Sequence, residues 1–314
     1  MNTRKDISVL IATYRRPDIL SFTLDSFRSL RVDGLHWEIL VIDNAGDEDT
    51  RKIIDGYQDI LPVKYFVEPK RGKNNALNHA LPIARGKILV FTDDDIIADP
   101  DWLMEIWEGT QRWPEHAIFG GKILPKFPVQ THNIPTDSSH WMIRGAYAIA
   151  DWNLEEGVYP ADKVWGANMA VRSEIFHNGV IFNSGVGPSG PDYVPGSEVE
   201  LVARLVKAGY HPVYLPKSFV YHQIRPEQLT TRWLYQRAFK IGRSAVFFKG
   251  VTEDGTLFGI SKSLWYQMAK AFLVYTYVSL TKDHRSKVLC GLDYWYKRGM
   301  AYQYKISLSA QIDE

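Results

Sequence analysis

The 314-residue sequence contains one cysteine, Cys290, which excludes an internal disulfide framework and fits a reducing compartment. It has no excess charge of one sign: 37 Lys and Arg stand against 36 Asp and Glu, so nothing global points to a nucleic-acid partner. A long hydrophobic run is also missing. The nearest candidate, SLWYQMAKAFLVYTYVSL at 263–280, is interrupted by Lys270. Its clean apolar part is about half of the ~20 residues that a membrane span requires. The start, MNTRKDISVLIATYRR, does not read as a signal peptide, because a short apolar run meets arginines rather than a cleavage site.

Several functional fingerprints are absent too. After the first apolar run stands ATYRRP, where a dinucleotide-binding enzyme would carry G-x-G-x-x-G, and RGKNN lacks the form of a P-loop. GPSGP resembles a nucleophile elbow only superficially, since it lies in a Pro-rich segment without a strand–helix setting. There is no internal repeat or low-complexity tract. What remains is a folded chain, 45% hydrophobic and 23% charged, long enough for a sizeable core.

Its first part alternates two periodicities. Four β-rich runs, ISVLIATY, WEILVID, VKYFVEP and KILVFTD, are separated by segments with helical spacing. Ile19, Leu20, Leu24, Phe27 and Leu30 mark the first helix, with Pro17 in its first turn. DEDTRKIIDGY marks the second, and KNNALNHALPIA the third, with Gly86 where the third should end. A βαβαβαβ order indicates an α/β protein: a Rossmann-like, mostly parallel sheet flanked by helices, with right-handed crossovers. Further on, DWLMEIWEGTQRW reads as an amphipathic helix and AIFGGKIL as a strand. Residues 125–160 read as loops around an acceptor site. VWGANMAVRSEIF reads as a strand or turn entering a helix. NSGVGPSGPDYVPGS reads as a mobile loop, EVELVARLVKAG as a helix, and HPVYLPKSFVYH as a strand pair. From Pro226 the pattern is helical and basic. The expected division is therefore a domain over 1–225, with halves 1–100 and 101–225, and a helical extension over 226–314.

In open parallel sheets, ligands bind beyond the carboxyl ends of the strands. Those ends carry Thr13-Tyr14-Arg15-Arg16, Asp43-Asn44, Glu68, and Asp93-Asp94-Asp95. Alternate residues of an extended chain point the same way, so Asp93 and Asp95 would share a side if strand geometry persists. Crowded carboxylates oppose one another's ionisation unless a cation neutralises them. Hard oxygen ligands suit Mg2+ or Mn2+, which commonly bridge to phosphate. The competing reading is a solvated acidic turn capping the next helix, but Asp99-Pro100-Asp101 already supplies that cap. Asp94, the middle member, is given no metal role.

Taken in order, these segments resemble family 2 glycosyltransferases, which have the GT-A fold. SVLIATYRRPDIL resembles their opening strand and nucleotide-binding loop, and EILVIDNAGDEDT the second strand, whose acidic end contacts the base. RGKNNALNHALPIARGKILVFTDDD resembles the helix and strand leading to a DxD motif. WGANMAVRSEIF, GSEVELVARLVKAGY and FVYH are similar to the GANM segment, the segment of the catalytic acid, and a later His. The resemblance covers roughly Ile7 to Arg243. It implies a nucleotide-sugar donor, with UDP-sugar first, a divalent metal, and transfer with inversion to a hydroxyl of a saccharide or lipid-linked saccharide. Polysaccharide or glycoconjugate synthesis would be the setting.

Site residues carry over position by position. Asp95 and Asp93 would serve the metal, with Asp93 also on the ribose. Thr13, Tyr14, Arg15, Asp43 and Asn44 would line the nucleotide pocket, and Asp94 would lie at the nucleotide sugar. Asn44 replaces a frequent second acid, which loosens the inference of uracil. Arg71 and Lys73 are candidates for the diphosphate, or else a solvated basic turn. Trp165 to Asn168 would shape the sugar site, Asn168 above all. The family's Glu-Asp pair is Ser197-Glu198 here, making Glu198 the general base; Glu200 is the rival, but it precedes Arg204 by four residues, in the order of a surface ion pair. His222 has two readings, metal ligand and structural histidine. The other functions left open are a non-catalytic nucleotide-sugar-binding scaffold and a nucleotidyltransferase on a related fold. The single cysteine and the N-terminus suggest a cytoplasmic protein. For 263–280, a buried helix and an interfacial one both stand, and the basic, aromatic tail suits the inner face of an anionic membrane.

Overall fold

The computed structural model describes residues 4–128, 134–190, 192–250 and 255–312. The elements in chain order are β1 Lys5–Thr13, α1 Pro17–Phe27, β2 Trp37–Asp43, α2 Glu48–Asp55, β3 Val63–Val67, α3 Lys73–Ala80 and β4 Gly86–Thr92. Then come β5 Ile96–Ala98, α4 Trp102–Arg112, β6 Ile118–Lys126, α5 Trp141–Ala146, β7 Gly157–Val158, β8 Met169–Arg172, α6 Glu174–His177, α7 Ser197–Lys207 and β9 Pro212–Gln223. The chain closes with α8 Thr231–Lys249, the short strands β10 Thr256–Leu257 and β11 Ile260–Ser261, α9 Lys262–Thr281 and α10 His284–Ile312.

The chain forms two compact units. The first comprises 1–126, 148–192 and 196–223. Its nine-stranded sheet runs β3-β2-β1-β4-β8-β6-β9-β5, with β7 also on β9. The first four strands in that order are mutually parallel, and β8 is the antiparallel joint to the rest. Period-2 alternation sorts β1 between two cores. Ile7, Val9 and Ile11 face Leu20, Leu24 and Trp102, whereas Leu10 faces Ala76, Leu77 and Leu201. Helices thus cover both faces, which is why the strands read as continuous apolar runs. The buried Glu38 is satisfied rather than orphaned: it accepts from Ser8 Oγ at 2.8 Å and Lys64 Nζ at 2.7 Å.

Parallel register sets the depth at which each strand ends. Thr13 lies opposite Asp43, and Ile11 opposite Thr92. The polar residues after β1, β2 and β4 therefore emerge at one level. Three local expectations are corrected. α3 stops at Ala80, ahead of Pro82, which lacks the N–H a helix interior needs. Gly86 is the first residue of β4 instead of a helix end. The expected strand pair at 211–222 is one strand, β9, whose register against β6 jumps from Leu215 to Phe219 so that 216–218 bulge out around Pro216. Within 125–160 the structure places α5 and β7; residues 129–133 of that segment lie outside the described residues.

The second unit comprises 127–147, 193–195 and 224–314 and is built on α5, α8, α9 and α10. α8 and α10 cross where neither has a side chain: a Cβ on Gly242 would stand 2.0 Å from Tyr296 O, and one on Gly299 1.9 Å from Phe239 O. In the first unit, Gly86 admits β1 equally closely, since a Cβ there would meet Ser8 N at 2.3 Å and Ile7 C at 2.7 Å. Both obstacles are backbone and cannot rotate away. Gly86→Ala is expected to destabilise the protein by about 1–3 kcal/mol, the usual cost of overpacking; urea unfolding followed by tryptophan fluorescence would measure it.

Candidate active site

The site grows from the carboxyl ends of β1 and β4. Two residues past the last registered pair of β1 and β4, Thr13 and Asp94 meet: Thr13 Oγ1 donates to Asp94 Oδ2 at 2.7 Å. Arg16, just before α1, reaches across the same gap, with Nη2 2.6 Å from Asp94 Oδ1 and Nη1 3.3 Å from Asp95 Oδ2. Asp94 is almost fully buried, and burial pushes its carboxyl up to about 6, against the pull of Arg16 and with the push of Asp95. Burial alone would lower the Arg16 pKa, but the charges of Asp94 and Asp95 outweigh it and hold the guanidinium protonated. Thr13 and Asp94 were expected on the nucleotide sugar. Both side chains are buried, and the hydroxyl bonds to the carboxylate.

A second ion cluster lies at the start of α3. Lys73 Nζ is 2.6 Å from Asp93 Oδ1 and 2.6 Å from Glu198 Oε1. Burial works against the lysine's charge, but the two carboxylates more than compensate and raise its pKa. Glu198 is the second residue of α7 and nearly buried. Its carboxylate lies against Gly166, where a Cβ would stand 2.1 Å from Oε1. Any larger residue at 166 would occupy the space of the carboxylate. Glu200, two residues along the helix, turns the other way to Arg204 Nε at 2.7 Å. The Gly- and Pro-rich segment, expected to be a mobile loop, is tied to α3: Lys73 N donates to Pro188 O at 2.8 Å, and Asn74 Nδ2 to Asn183 O and Val186 O at 2.7 and 2.9 Å.

Beside these clusters, the two guanidinium groups of Arg15 and Arg71 lie 5.4 and 5.1 Å from the centre of the Tyr14 ring. Arg15 is exposed and holds a left-handed backbone, φ 52°. Asp43 and Asn44, expected to line the nucleotide pocket, are engaged by neighbouring groups of the chain. The Asp43 carboxylate accepts from Ala45 N, Asp47 N and Tyr65 Oη at 2.8, 2.6 and 2.9 Å. Asn44 donates to Glu68 O and Lys70 O, both at 2.8 Å, and accepts from Gly72 N. These side chains shape the turns after β2 and β3. Asn168, expected at the sugar, is likewise enclosed: Nδ2 donates to Lys122 O and Ser218 O at 3.0 Å, and Oδ1 accepts from Trp102 Nε1 at 2.9 Å.

Could these residues hold a divalent metal? Among the described residues, no three His, Cys, Asp or Glu side chains converge as ready ligands. The expected pairing of Asp93 with Asp95 is not formed, because β4 ends at Thr92 and each carboxylate has taken a different cation. Asp95 Oδ1 and His222 Nε2, however, stand 3.3 Å apart. Two cis ligands of an octahedral ion sit about 3 Å apart when each bond is about 2.1 Å. The spacing of Asp95 and His222 therefore fits two residues that would hold a divalent metal together. His222 arrives there through pairing of β5 with β9, which sets Ile96 opposite His222.

Arg16 is the site residue to which sequence reasoning gave no role; Gly166 was expected at the sugar site, but not against Glu198. The register of β1 against β4 could have paired Arg16 with the aspartates. Nothing local marks Gly166 as the neighbour of a carboxylate 32 residues later.

The sequence profile of the family "Glycosyl transferase family 2" matches residues 8–176, more than half of the chain. The chain belongs to that family. It is 20% identical over 242 residues to a glucosyl-dolichyl phosphate glucuronosyltransferase of Haloferax volcanii, covering 76% of this chain and 75% of the relative. It is 25% identical over 250 residues to the succinoglycan biosynthesis protein ExoM of Rhizobium meliloti, covering 77% and 75%. Among solved structures, the mannosyltransferase PcManGT of Pyrobaculum calidifontis, in complex with GDP-Man and Mn2+, superposes with a TM-score of 0.59 at 17% identity, covering 98% of this chain and 87% of the other. That likeness shows the GT-A fold, with a helical region at the C-terminus.

The buried carboxyl gives a pH signature. Because the folded pKa of Asp94 lies above the ordinary 3.8, the native state favours the protonated form. Its stabilising effect is present at low pH and is lost as pH rises from about 4 through about 6. The full change corresponds to a few kcal/mol. Urea unfolding without added metal at pH 4.5, 5.5 and 6.5 should show this loss in the wild type, and Asp94→Asn should remove that component of the slope.

Proposed function

We propose that the protein transfers a sugar from a nucleoside diphosphate sugar to a hydroxyl of a saccharide or lipid-linked saccharide, in one displacement with inversion. The supporting observation is the Lys73–Glu198 contact, which holds a nearly buried carboxylate over Gly166 at the carboxyl end of the sheet. An acceptor hydroxyl is a weak nucleophile and needs a base within hydrogen-bond reach. Glu198 takes its proton as the oxygen bonds to the anomeric carbon and the bond from that carbon to the diphosphate oxygen breaks. Glu200 is a poor rival, because Arg204 engages both of its oxygens.

The departing nucleoside diphosphate gathers negative charge, and preorganised cations oppose that charge best. Arg15 and Arg71 around Tyr14, and Lys73 at the start of α3, are the side chains proposed to meet it. Asp95 and His222 would hold Mn2+ or Mg2+, and a carboxylate with an imidazole favours Mn2+. When bound, the metal would supply a Lewis acid for the diphosphate oxygens. UDP-sugars are the first donors to try, but Asp43 and Asn44 are spent on backbone groups and Tyr65, so the proposal is made for the diphosphate class as a whole.

Incubation with UDP- and GDP-sugars and Mn2+ should release nucleoside diphosphate slowly even without acceptor. Absence of binding and turnover with every donor and metal would leave the scaffold reading instead. Glu198→Gln should keep donor binding by calorimetry and lose about 10²–10⁴-fold in transfer rate, the usual worth of a general base. Undiminished transfer would remove Glu198 from that role. Gly166→Ala, which pushes the carboxylate aside, should lower kcat at least tenfold, as expected when a reacting group is misplaced by about an ångström, while the KM for donor changes little.

A further inference from the structure

α9 is apolar on two opposite faces. Leu264, Met268 and Ala271 lie on the inner one, packed with residues of α8 and α10 such as Val246 and Tyr304 or buried beside them. The outer face carries Tyr266, Leu273, Tyr277 and Leu280, which are 71, 68, 63 and 82% exposed. At 3.6 residues per turn these four fall within an arc of about 60°. Together with Phe258, 80% exposed, they are the five most exposed large hydrophobic side chains among the described residues. A helix that is apolar all round is normally covered on every side, and apolar side chains concentrated in this way mark an interaction surface.

Phe258 lies just ahead of α9 in the chain, in a turn bonded to that helix. It occupies the turn between β10 and β11 with a left-handed backbone, φ 53°, a conformation unusual for a bulky residue. Trp265 Nε1 donates to Leu257 O at 2.7 Å and so fastens the turn to the first part of α9. Such a conformation, held in place to project a phenyl ring into solvent, points to a use for the ring.

Charge identifies the partner. From Gly255 to Lys282 the chain has no Asp or Glu but carries Lys262, Lys270 and Lys282. Lys262 and Lys270 are exposed and fall at the two edges of the apolar arc. A second copy of the same face would bring lysine against lysine. An anionic surface with an apolar interior complements both features, since lysine stems lie along the apolar layer and their ammonium groups reach the headgroups. Among the described residues no helix is long and apolar enough to cross a membrane, so α9 would lie in the interface plane.

We propose that the outer face of α9, with Phe258 as a wedge beside it, docks the protein on an anionic phospholipid bilayer. The proposal is independent of donor and acceptor. The test is co-sedimentation of the full chain with vesicles of phosphatidylcholine alone and of phosphatidylcholine mixed with phosphatidylglycerol. Binding is expected to the mixed vesicles and to weaken as salt is raised. Leu273→Glu with Tyr277→Glu should abolish it, and Lys262→Gln with Lys270→Gln should weaken it roughly fivefold per lysine. Circular dichroism on both variants checks that the helices persist. Failure of the wild type to bind mixed vesicles, or equal binding by the wild type and both variants, would overturn the proposal. Concentration-dependent self-association in sedimentation velocity, lost in the glutamate variant and unaccompanied by vesicle binding, would assign the face to a second copy instead.

Discussion

Four carboxylates, Asp93, Asp94, Asp95 and Glu198, are gathered near the carboxyl ends of β1 and β4, and two side chains make that possible. Arg16 stands against Asp94 and Asp95, and Lys73 against Asp93 and Glu198. Removing either cation would leave buried or nearly buried negative charge unpaired, which is far costlier than losing an exposed ion pair. The surrounding structure is organised to keep both cations in place. Arg16 directly precedes α1, and Lys73 opens α3, the helix to which the Gly- and Pro-rich segment is tied. The opposing charges also keep Lys73 and Arg16 protonated.

Glu198 illustrates how fold and chemistry share residues. The side chain is positioned by the start of α7, by Lys73, and by the missing Cβ of Gly166. These three come from distant parts of the chain and meet only in the folded unit. Asn168, two residues beyond Gly166 in the same short 3-10 turn, holds that segment by bonding to Trp102 and to the backbone of β6 and β9. The segment resembling GANM thus has two tasks here: Gly166 gives room, and Asn168 gives support.

Asp43, Asn44 and Thr13 show a related economy. Each stands at a strand end where a ligand contact was expected, yet each spends its polar atoms on the chain itself. A polar side chain at the end of a buried strand can serve a ligand or satisfy nearby backbone and carboxylate groups. Sequence type does not distinguish the two, because both uses require the same donors and acceptors.

The alternation of apolar runs determined the α/β class, the helices on both faces, and the end of the sheet where polar residues collect. The order of motifs determined the family, and the four-residue spacing of Glu200 and Arg204 already separated that acid from Glu198. These follow from local spacing and from the order of segments along the chain. Tertiary structure alone decided which cation each aspartate takes, that Asp94 is buried, that Gly166 lies against Glu198, and that β9 brings His222 to Asp95. Those outcomes depend on strand register and on contacts between residues 20 to 127 positions apart, fixed only when the sheet pairs and the helices pack.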